Sequence, residues 1–178
     1  MIKEFEFYHG VMLSKLVHSA TEPVSLAIYP SPTNASYILN QNIGLYVKHS
    51  TKRLSPWRFS FQKLHQDEIL EMTTKLDKVF VLLVCGEDGI VTLNFDELKS
   101  ILDENHEEVE WISAARNPNR EYTIKGSNGG LSHKIGKNDF PKKIFENCKN
   151  YQLRDNFDSD QTNDKKSSGW FATLFKQA

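Results

Sequence analysis

The sequence predicts an α/β (α+β) protein built on a central mixed β-sheet of about five strands with helices on its flanks. Three observations predict this fold class. Residues 5–18 repeat apolar side chains at three- and four-residue steps, as an amphipathic helix does. Residues 79–85 form a continuous apolar run, which is typical of a strand buried on both faces. Residues 57–61 alternate large apolar with polar side chains, the period of a half-exposed strand.

The remaining elements of the first hundred residues follow from local signals. The first helix ends before Pro23, because the residue that precedes a proline disfavours the α region. Further strands are expected at 24–29, 37–40, 43–49 and 90–93, and a helix is expected at 65–76. Gln41-Asn42 is a short turn between two of these strands. Asn94 and Glu97 have the spacing of a capping box ahead of a short helix at 96–102.

The last third of the chain predicts a smaller β-hairpin region followed by a tail. A strand is expected at 109–114, a hairpin around the glycine-rich residues 126–130, and a short helix from Asp139. We therefore expect one α/β domain over residues 1–150, with a core over 1–102 and a β-rich extension over 103–150. Residues 151–168 are polar and predicted to be a disordered linker. Residues 169–178 form an amphipathic C-terminal segment.

The composition indicates a cytoplasmic protein rather than a membrane or secreted one. Apolar residues make up 39% of the 178 residues, and no apolar run approaches the roughly 20 residues of a membrane span. The N-terminal residues carry early acids and lack the apolar stretch of a signal peptide. The two cysteines, Cys85 and Cys148, form neither a disulfide framework nor a zinc motif. No sequence motif implies a cofactor.

Charge is unevenly distributed along the chain. Residues 23–66 contain five Lys or Arg and no acid, whereas residues 67–110 contain three Lys and thirteen Asp or Glu. Residues 111–154 are basic again, with nine Lys or Arg and three acids. A surface formed by the two basic blocks would attract a polyanion. The alternative is that basic and acidic blocks interleave in space and cancel.

The acid-free stretch supplies the candidate nucleic-acid site. Its basic residues are interleaved with aromatic ones, and the candidates are Lys48, Lys52, Arg53, Trp57 and Arg58. Cations suit phosphates, and Trp57 would be a platform on which a base stacks. The alternative is that Trp57, Phe59 and Phe61 are core residues on one face of a strand, beside basic residues that are merely exposed.

The order of these elements resembles the core of the PD-(D/E)xK nuclease superfamily over roughly residues 5–95. Gly44-Leu45-Tyr46-Val47-Lys48-His49-Ser50 resembles that family's (Asp/Glu)-x-Lys strand, with Lys48 in the lysine position. In the family two carboxylates hold Mg²⁺ and the lysine helps to orient or activate the attacking water. The resemblance implies a nuclease-like fold and contact with nucleic acid.

The chain departs from this family where the metal would bind. Tyr46 stands in the place of one carboxylate, and only Asn34 or Ser36 is available for the other. A phenol and an amide cannot replace two carboxylates, because a hard cation needs anionic oxygen. We therefore expect no catalytic residues and no metal. The expected function is a non-catalytic nucleic-acid-associated module with a degenerate nuclease-like core, acting as a subunit of a larger system.

Three other interpretations remain open at this stage. The chain would be a protein–protein adaptor if a partner docks on the acidic 103–110 segment and on the C-terminal segment. The apolar residues of that segment are Trp170, Phe171, Leu174 and Phe175. An active nuclease with a nonstandard metal site is the second interpretation. A metal could also use His65 and Glu68, one turn apart on a helix, although acids at a helix N-terminus are favourable without one.

Overall fold

The structure, a computed structural model, describes residues 1–103 and 109–148. Four helices and nine strands are found in these residues. The helices are α1 (Glu4–Ser19), α2 (Lys63–Lys75), α3 (Phe95–Ile101) and α4 (Asp139–Phe145). The strands are β1 (Leu26–Ile28), β2 (Ser36–Leu39), β3 (Ile43–Ser50), β4 (Trp57–Phe61), β5 (Lys78–Cys85), β6 (Gly89–Asn94), β7 (Glu110–Ala115), β8 (Thr123–Gly126) and β9 (Gly129–Gly130).

The central sheet has five strands in the order β1-β2-β3-β5-β6. It is mixed, because β3 and β5 are parallel and the other neighbours are antiparallel. Side chains of β5 alternate between two hydrophobic clusters, one on each face of the sheet. Helices α1 and α4 cover one face, and α2 and α3 cover the other. The α/β fold class with a central mixed sheet is confirmed.

A second sheet of four strands, in the order β4-β7-β8-β9, packs on the α2 and α3 side of the central sheet. The strand at residues 57–61 was expected to belong to the 1–102 core, but β4 pairs with β7 of the extension, with Trp57 opposite Ala114. The apolar side chains of β4 and β7 face the same cluster as one face of β5, so burial favours this pairing. The β-rich extension therefore takes its edge strand from the first hundred residues.

An ion pair joins the two sheets. Asp88, in the turn between β5 and β6, accepts hydrogen bonds from both Nε and Nη2 of Arg116, which follows β7. The Nε–Oδ2 distance is 2.7 Å, and Tyr122 donates its hydroxyl to the same carboxylate at 2.5 Å. The hydrogen bonds from Arg116 lower the pKa of Asp88, and the hydrogen bond from Tyr122 adds to this effect. Partial burial of the carboxylate opposes it. A bidentate pair of this kind fixes orientation as well as position.

Local turn chemistry agrees with the sequence at α3 and differs by one residue at the β2–β3 turn. Asn94 accepts from the backbone of Glu97, whose carboxylate accepts from the backbone of Asn94, both at 2.8 Å. The predicted capping box is therefore present. In the β2–β3 turn, Asn40 and Gln41 take positive φ of 50° and 67°, and the turn comprises residues 40–42, so it includes the predicted Gln41-Asn42 pair and one residue before it.

The tail, the C-terminal segment and most of the acidic segment lie outside the described residues. The predicted partner-binding residues Trp170, Phe171, Leu174 and Phe175 are among them. Within residues 1–103 and 109–148, no helix combines the length and apolar character needed to cross a bilayer.

Candidate anion-binding site

A cavity of about 430 Å³ lies at the C-terminal end of β3. The pairing of β2 with β3 ends at Tyr46, and the cavity follows the residues just beyond this point. Its lining side chains are Phe5, His9, Thr33, Asn34, Ala35, Tyr46, Val47, Lys48, His49, Arg58, Phe59, Ser60, Gln62 and His65. All but Phe5 and His9 come from the acid-free stretch, and none is Asp or Glu. The acid-free stretch of the sequence therefore forms most of a cavity wall that contains no carboxylate.

Lys48 is a half-buried cation of this wall. Its Nζ lies 3.1 Å from Nδ1 of His65 and 5.1 Å from the centre of the Phe61 ring. In the part of the chain that the structure describes, no carboxylate lies within ion-pair distance of this ammonium. Burial lowers the pKa of Lys48 to about 8, so the side chain still carries its charge at neutral pH. A half-buried charge without a protein counter-ion is costly to keep and is ready to accept an anion.

The hydrogen bonds of His65 define its tautomer. Its Nδ1 accepts the backbone N–H of Gln62 at 3.1 Å, which caps the start of α2, and it also faces the Lys48 ammonium. Burial and then the charge of Lys48 lower the pKa of His65, while Glu68 opposes this change. Neutral His65 with an accepting Nδ1 must carry its proton on Nε2. This imidazole therefore offers the cavity a donor.

Tyr46 contributes a third polar group to the same wall. The residue is completely buried, and its hydroxyl forms no hydrogen bond of normal geometry among the described residues. Burial, followed by the nearby Glu68 carboxylate, raises the pKa of Tyr46, while the side chain of Thr33 opposes this rise, so the phenol keeps its proton and is a donor. A buried polar group without a partner costs about 1–3 kcal/mol. A ligand that accepts this proton would remove that cost.

Glu68 lies behind the wall rather than in it. The carboxylate is 4% exposed and accepts hydrogen bonds from Thr33 Oγ1, at 2.8 and 3.0 Å, and from Ser36 Oγ. These bonds attach the segment before β2 to helix α2 and so shape one side of the cavity. Because its oxygens are engaged by hydroxyl groups, Glu68 is a structural anchor of the site.

Helix α1 closes the cavity from the opposite face of β3. His9 is 4% exposed, and its Nδ1 lies 2.9 Å from the hydroxyl of Tyr37. Burial, followed by the proximity of His49, lowers the pKa of His9 to about 4. His49 stacks on Tyr8 with ring centres 4.7 Å apart, and its Nε2 lies 3.1 Å from Glu4. His9 is therefore neutral at pH 7 and serves as part of the wall.

The other predicted basic residues surround the cavity at the surface. Arg58 lines the cavity, is exposed, and places its guanidinium carbon 4.2 Å from the centre of the Trp111 ring. Lys52 and Arg53 are exposed on the loop that follows β3, and the Lys52 ammonium donates to the carbonyl of Pro56 at 3.0 Å. The structure thus brings Lys48 and Arg58 to one cavity and leaves Lys52 and Arg53 on the adjoining loop.

Trp57 does not offer the exposed ring that was expected of it. It is 3% exposed, and its ring packs edge-on against Tyr122, with centres 6.1 Å apart. Its Nε1 donates to the carbonyl of Lys52 at 2.8 Å. A Cβ at Gly86, where φ is 55°, would lie 2.5 Å from that same oxygen. Trp57 therefore holds the loop from inside the core, and we leave it out of the binding site.

A larger cavity of about 500 Å³ lies between α2 and α3 but has a different character. Its walls are mainly apolar and include Ile69, Leu70, Phe95 and Leu98. Neither a buried unpaired cation nor a group of facing donors lines it. The cavity beside Lys48 has the more polar lining of the two and holds an ammonium that, among the described residues, has no carboxylate within ion-pair distance.

The arrangement suits an anion better than a metal ion. Lys48, His65 and Tyr46 all present donors, whereas a hard cation needs anionic oxygen ligands. Within residues 1–103 and 109–148, no three His, Cys, Asp or Glu side chains form a metal-binding group. No family model, curated protein or solved structure matches this chain, so the assignment of a function rests on the site itself.

Proposed function

We propose that this chain is a non-catalytic nucleic-acid-binding module, a subunit of a larger system, whose cavity beside Lys48 holds a backbone phosphate. One observation carries the proposal. Lys48 is a half-buried cation without a carboxylate partner, in a cavity whose lining contains no acid. A phosphate would supply the missing counter-charge and accept the unsatisfied donors.

The donors of the cavity match the acceptors of a phosphate. The Lys48 ammonium has N–H groups beyond the one directed at His65, and the imidazole and phenol add Nε2–H and O–H. Hydrogen bonds to a charged acceptor contribute about 1.5–3 kcal/mol each. Two or three such bonds are enough to position one phosphate of a chain whose other contacts are at the surface.

The resemblance to the PD-(D/E)xK nucleases favours nucleic acid over other phosphate compounds. The element order on which that resemblance rests is also the order of α1, β1 to β4, α2 and β5. The resemblance assigns Lys48 to the family's lysine position, and Lys48 lines the cavity. Tyr46 in one expected carboxylate position, and Asn34 or Ser36 in the other, argue for binding without cleavage.

Electrostatic steering would come from the exposed cations around the cavity. Arg58 lines it, and Lys52 and Arg53 lie on the loop that leaves the end of β3. Each phosphate that is neutralised releases counter-ions, so the affinity should fall steeply with salt. Binding that ignores ionic strength would be incompatible with this proposal.

The test is the affinity of the full chain for a labelled twelve-nucleotide oligonucleotide, measured by fluorescence anisotropy from about 50 to about 200 mM salt. Lys48→Met should weaken binding about tenfold and reduce the slope of log K against log salt by about one. Lys15→Met removes an exposed lysine of α1 and is the matched control. Equal affinities for the wild type and Lys48→Met would overturn the proposal.

A separate assay tests the proposal that the chain does not cleave nucleic acid. The wild-type chain is incubated with end-labelled DNA and RNA in the presence of Mg²⁺ or Mn²⁺, and the products are separated on a gel. We expect intact substrate. Cleavage that disappears in Lys48→Met would show an active nuclease and contradict the non-catalytic assignment, even if binding is confirmed.

A further inference from the structure

The outer face of the second sheet carries basic side chains and shares Arg58 and Ser60 with the cavity. Along β4, β7 and β8, every second side chain points into the core, and the alternate ones are exposed or half-buried. The outward residues include Arg58, Ser60, Trp111, Ser113, Thr123 and Lys125. Most of the side chains on this face are therefore small. The exceptions in this set are one aromatic residue, Trp111, and two long cations, Arg58 and Lys125.

The two basic blocks of the sequence meet on this face. Arg58 of β4 lies opposite Ser113 of β7, which in turn lies opposite Lys125 of β8. With neighbouring strands about 4.8 Å apart, the Arg58 and Lys125 backbones are roughly 10 Å from each other. Both side chains are exposed on the same side of the sheet. Arg58 comes from the acid-free block and Lys125 from the second basic block.

Carboxylates are missing from the strand positions of this face. Glu110, the acid of β7, points inward and is 4% exposed. Among the described residues, Glu121 is the acid in line with the outward positions, and it precedes β8 by two residues. It lies at the Ala115 end of β7, away from Trp111. Counting only residues 1–103 and 109–148, the side chains on the face around Arg58 and Lys125 therefore carry positive charge.

Trp111 supplies the aromatic surface that Trp57 does not. It is half-buried, it lies opposite Ser60, and its ring is 4.2 Å from the Arg58 guanidinium carbon. Unstacked bases pack on aromatic rings and on arginine planes, at about 1–3 kcal/mol per base. The bases of a duplex are already stacked on each other and cannot use such a platform.

Arg58 and Ser60 also line the cavity, so β4 forms a shared edge between the cavity and the outer face. We propose that the ligand is a single-stranded nucleic acid that runs from the cavity across β4, β7 and β8. One base stacks on the Trp111–Arg58 pair, and a phosphate beyond it contacts Lys125. This inference rests on the proposed function, because it extends a strand whose phosphate is already held beside Lys48.

The test compares a twelve-nucleotide oligo(dT), the corresponding duplex and a 5′-phosphorylated dinucleotide, each titrated into the full-length chain. Trp111→Ala and Lys125→Glu should each weaken oligo(dT) binding by about 5- to 100-fold. Trp111→Phe should stay within about threefold of the wild type, because it keeps a ring. Lys15→Glu reverses an exposed charge on α1, on the opposite side of the central sheet, and is the control for Lys125→Glu. Thermal melts identify any variant that fails to fold. If Trp111→Ala fails to fold, the inference is judged on Lys125→Glu, which should weaken oligo(dT) binding, and on Trp111→Phe, which should not.

The dinucleotide separates this inference from the proposed function. Its binding should depend on Lys48 and be unchanged by Trp111→Ala and Lys125→Glu, because it is too short to cross the sheet. If the oligo(dT) affinity is unchanged in Lys125→Glu, or the duplex binds as tightly as the single strand, the outer-face inference is wrong while the phosphate cavity stands. If Lys48→Met leaves the binding of all three ligands unchanged, the proposed function itself fails.

Discussion

The Nζ atom of Lys48 lies 3.1 Å from Nδ1 of His65, and burial lowers the pKa of Lys48 to about 8. A cation is thus directed at a neutral imidazole rather than at a carboxylate. The His65 ring cannot neutralise it, since a neutral imidazole carries no negative charge, and its one Nδ1 lone pair is shared with the backbone N–H of Gln62. The pair holds a positive charge in place and leaves it available to a ligand.

The first prediction concerns pH. Because the free protein loses the Lys48 proton near pH 8, oligonucleotide affinity should fall as the pH rises from about 7 to about 9. An ordinary exposed lysine would keep its charge to above pH 10. Lys48→Arg, which stays charged, should move this loss to higher pH. Anisotropy titrations across this range measure both, and a flat profile for the wild type would argue against Lys48 as the charge that binds.

The second prediction is that the binding lysine costs stability. Its lowered pKa means that the unfolded chain binds more protons than the folded chain between about pH 8 and the ordinary lysine value. The free energy of unfolding should therefore rise with pH in this window. Lys48→Met, which removes an unpaired half-buried charge, should raise the free energy of unfolding by about 1 kcal/mol at pH 7. Urea unfolding measures this change, and a loss of stability would show that Lys48 has a structural role.

The third prediction separates Trp57 from Trp111. Trp57 is buried and holds the Lys52 carbonyl, so Trp57→Ala should reduce the free energy of unfolding by about 3–5 kcal/mol. Trp111→Ala should cost much less stability, because its ring is half-buried, yet it should reduce oligo(dT) affinity more. Melting temperature and anisotropy are measured on the same preparations. Equal stability losses would contradict the assigned positions of the two rings.

The fourth prediction concerns the link between the sheets. Arg116→Met leaves the Asp88 carboxylate without its bidentate partner and should cost about 2–3 kcal/mol of the free energy of unfolding. Adding Asp88→Asn should recover part of this loss, because the unpaired charge is then removed. Lys142→Met breaks an exposed pair with Glu146 and should change stability by less than about 1 kcal/mol. Chemical unfolding of the three variants measures the coupling.

The local part of the fold could be predicted from the sequence. The apolar run 79–85 is a strand with side chains in both hydrophobic clusters, and the Asn94–Glu97 capping box begins α3. These signals depend on neighbouring residues alone. The pairing of β4 with β7 joins Trp57 to Ala114 across more than fifty residues, and alternation within a strand does not say which sheet the strand enters.

The candidate site was predicted in part for the same reason. Lys48 and Arg58 were identified from the missing acids, which indicate a surface that repels no phosphate. The contributions of His9, His65 and Tyr46 depend on how α1, α2 and β3 meet, and no local pattern reports this. The prediction that Trp57 is an exposed stacking platform was wrong. The alternating strand places Trp57, Phe59 and Phe61 on one face, and that face is buried in the core. The sequence did not indicate Trp111 as a candidate for base stacking, since this residue stands directly after an acidic stretch.

The most direct test of the account is a crystal structure of the full chain bound to a short 5′-phosphorylated oligo(dT). We expect a phosphate within hydrogen-bond distance of Lys48 Nζ and His65 Nε2, at roughly 2.7–3.2 Å. An oligonucleotide bound elsewhere, with the cavity beside Lys48 holding only solvent, would contradict the central claim.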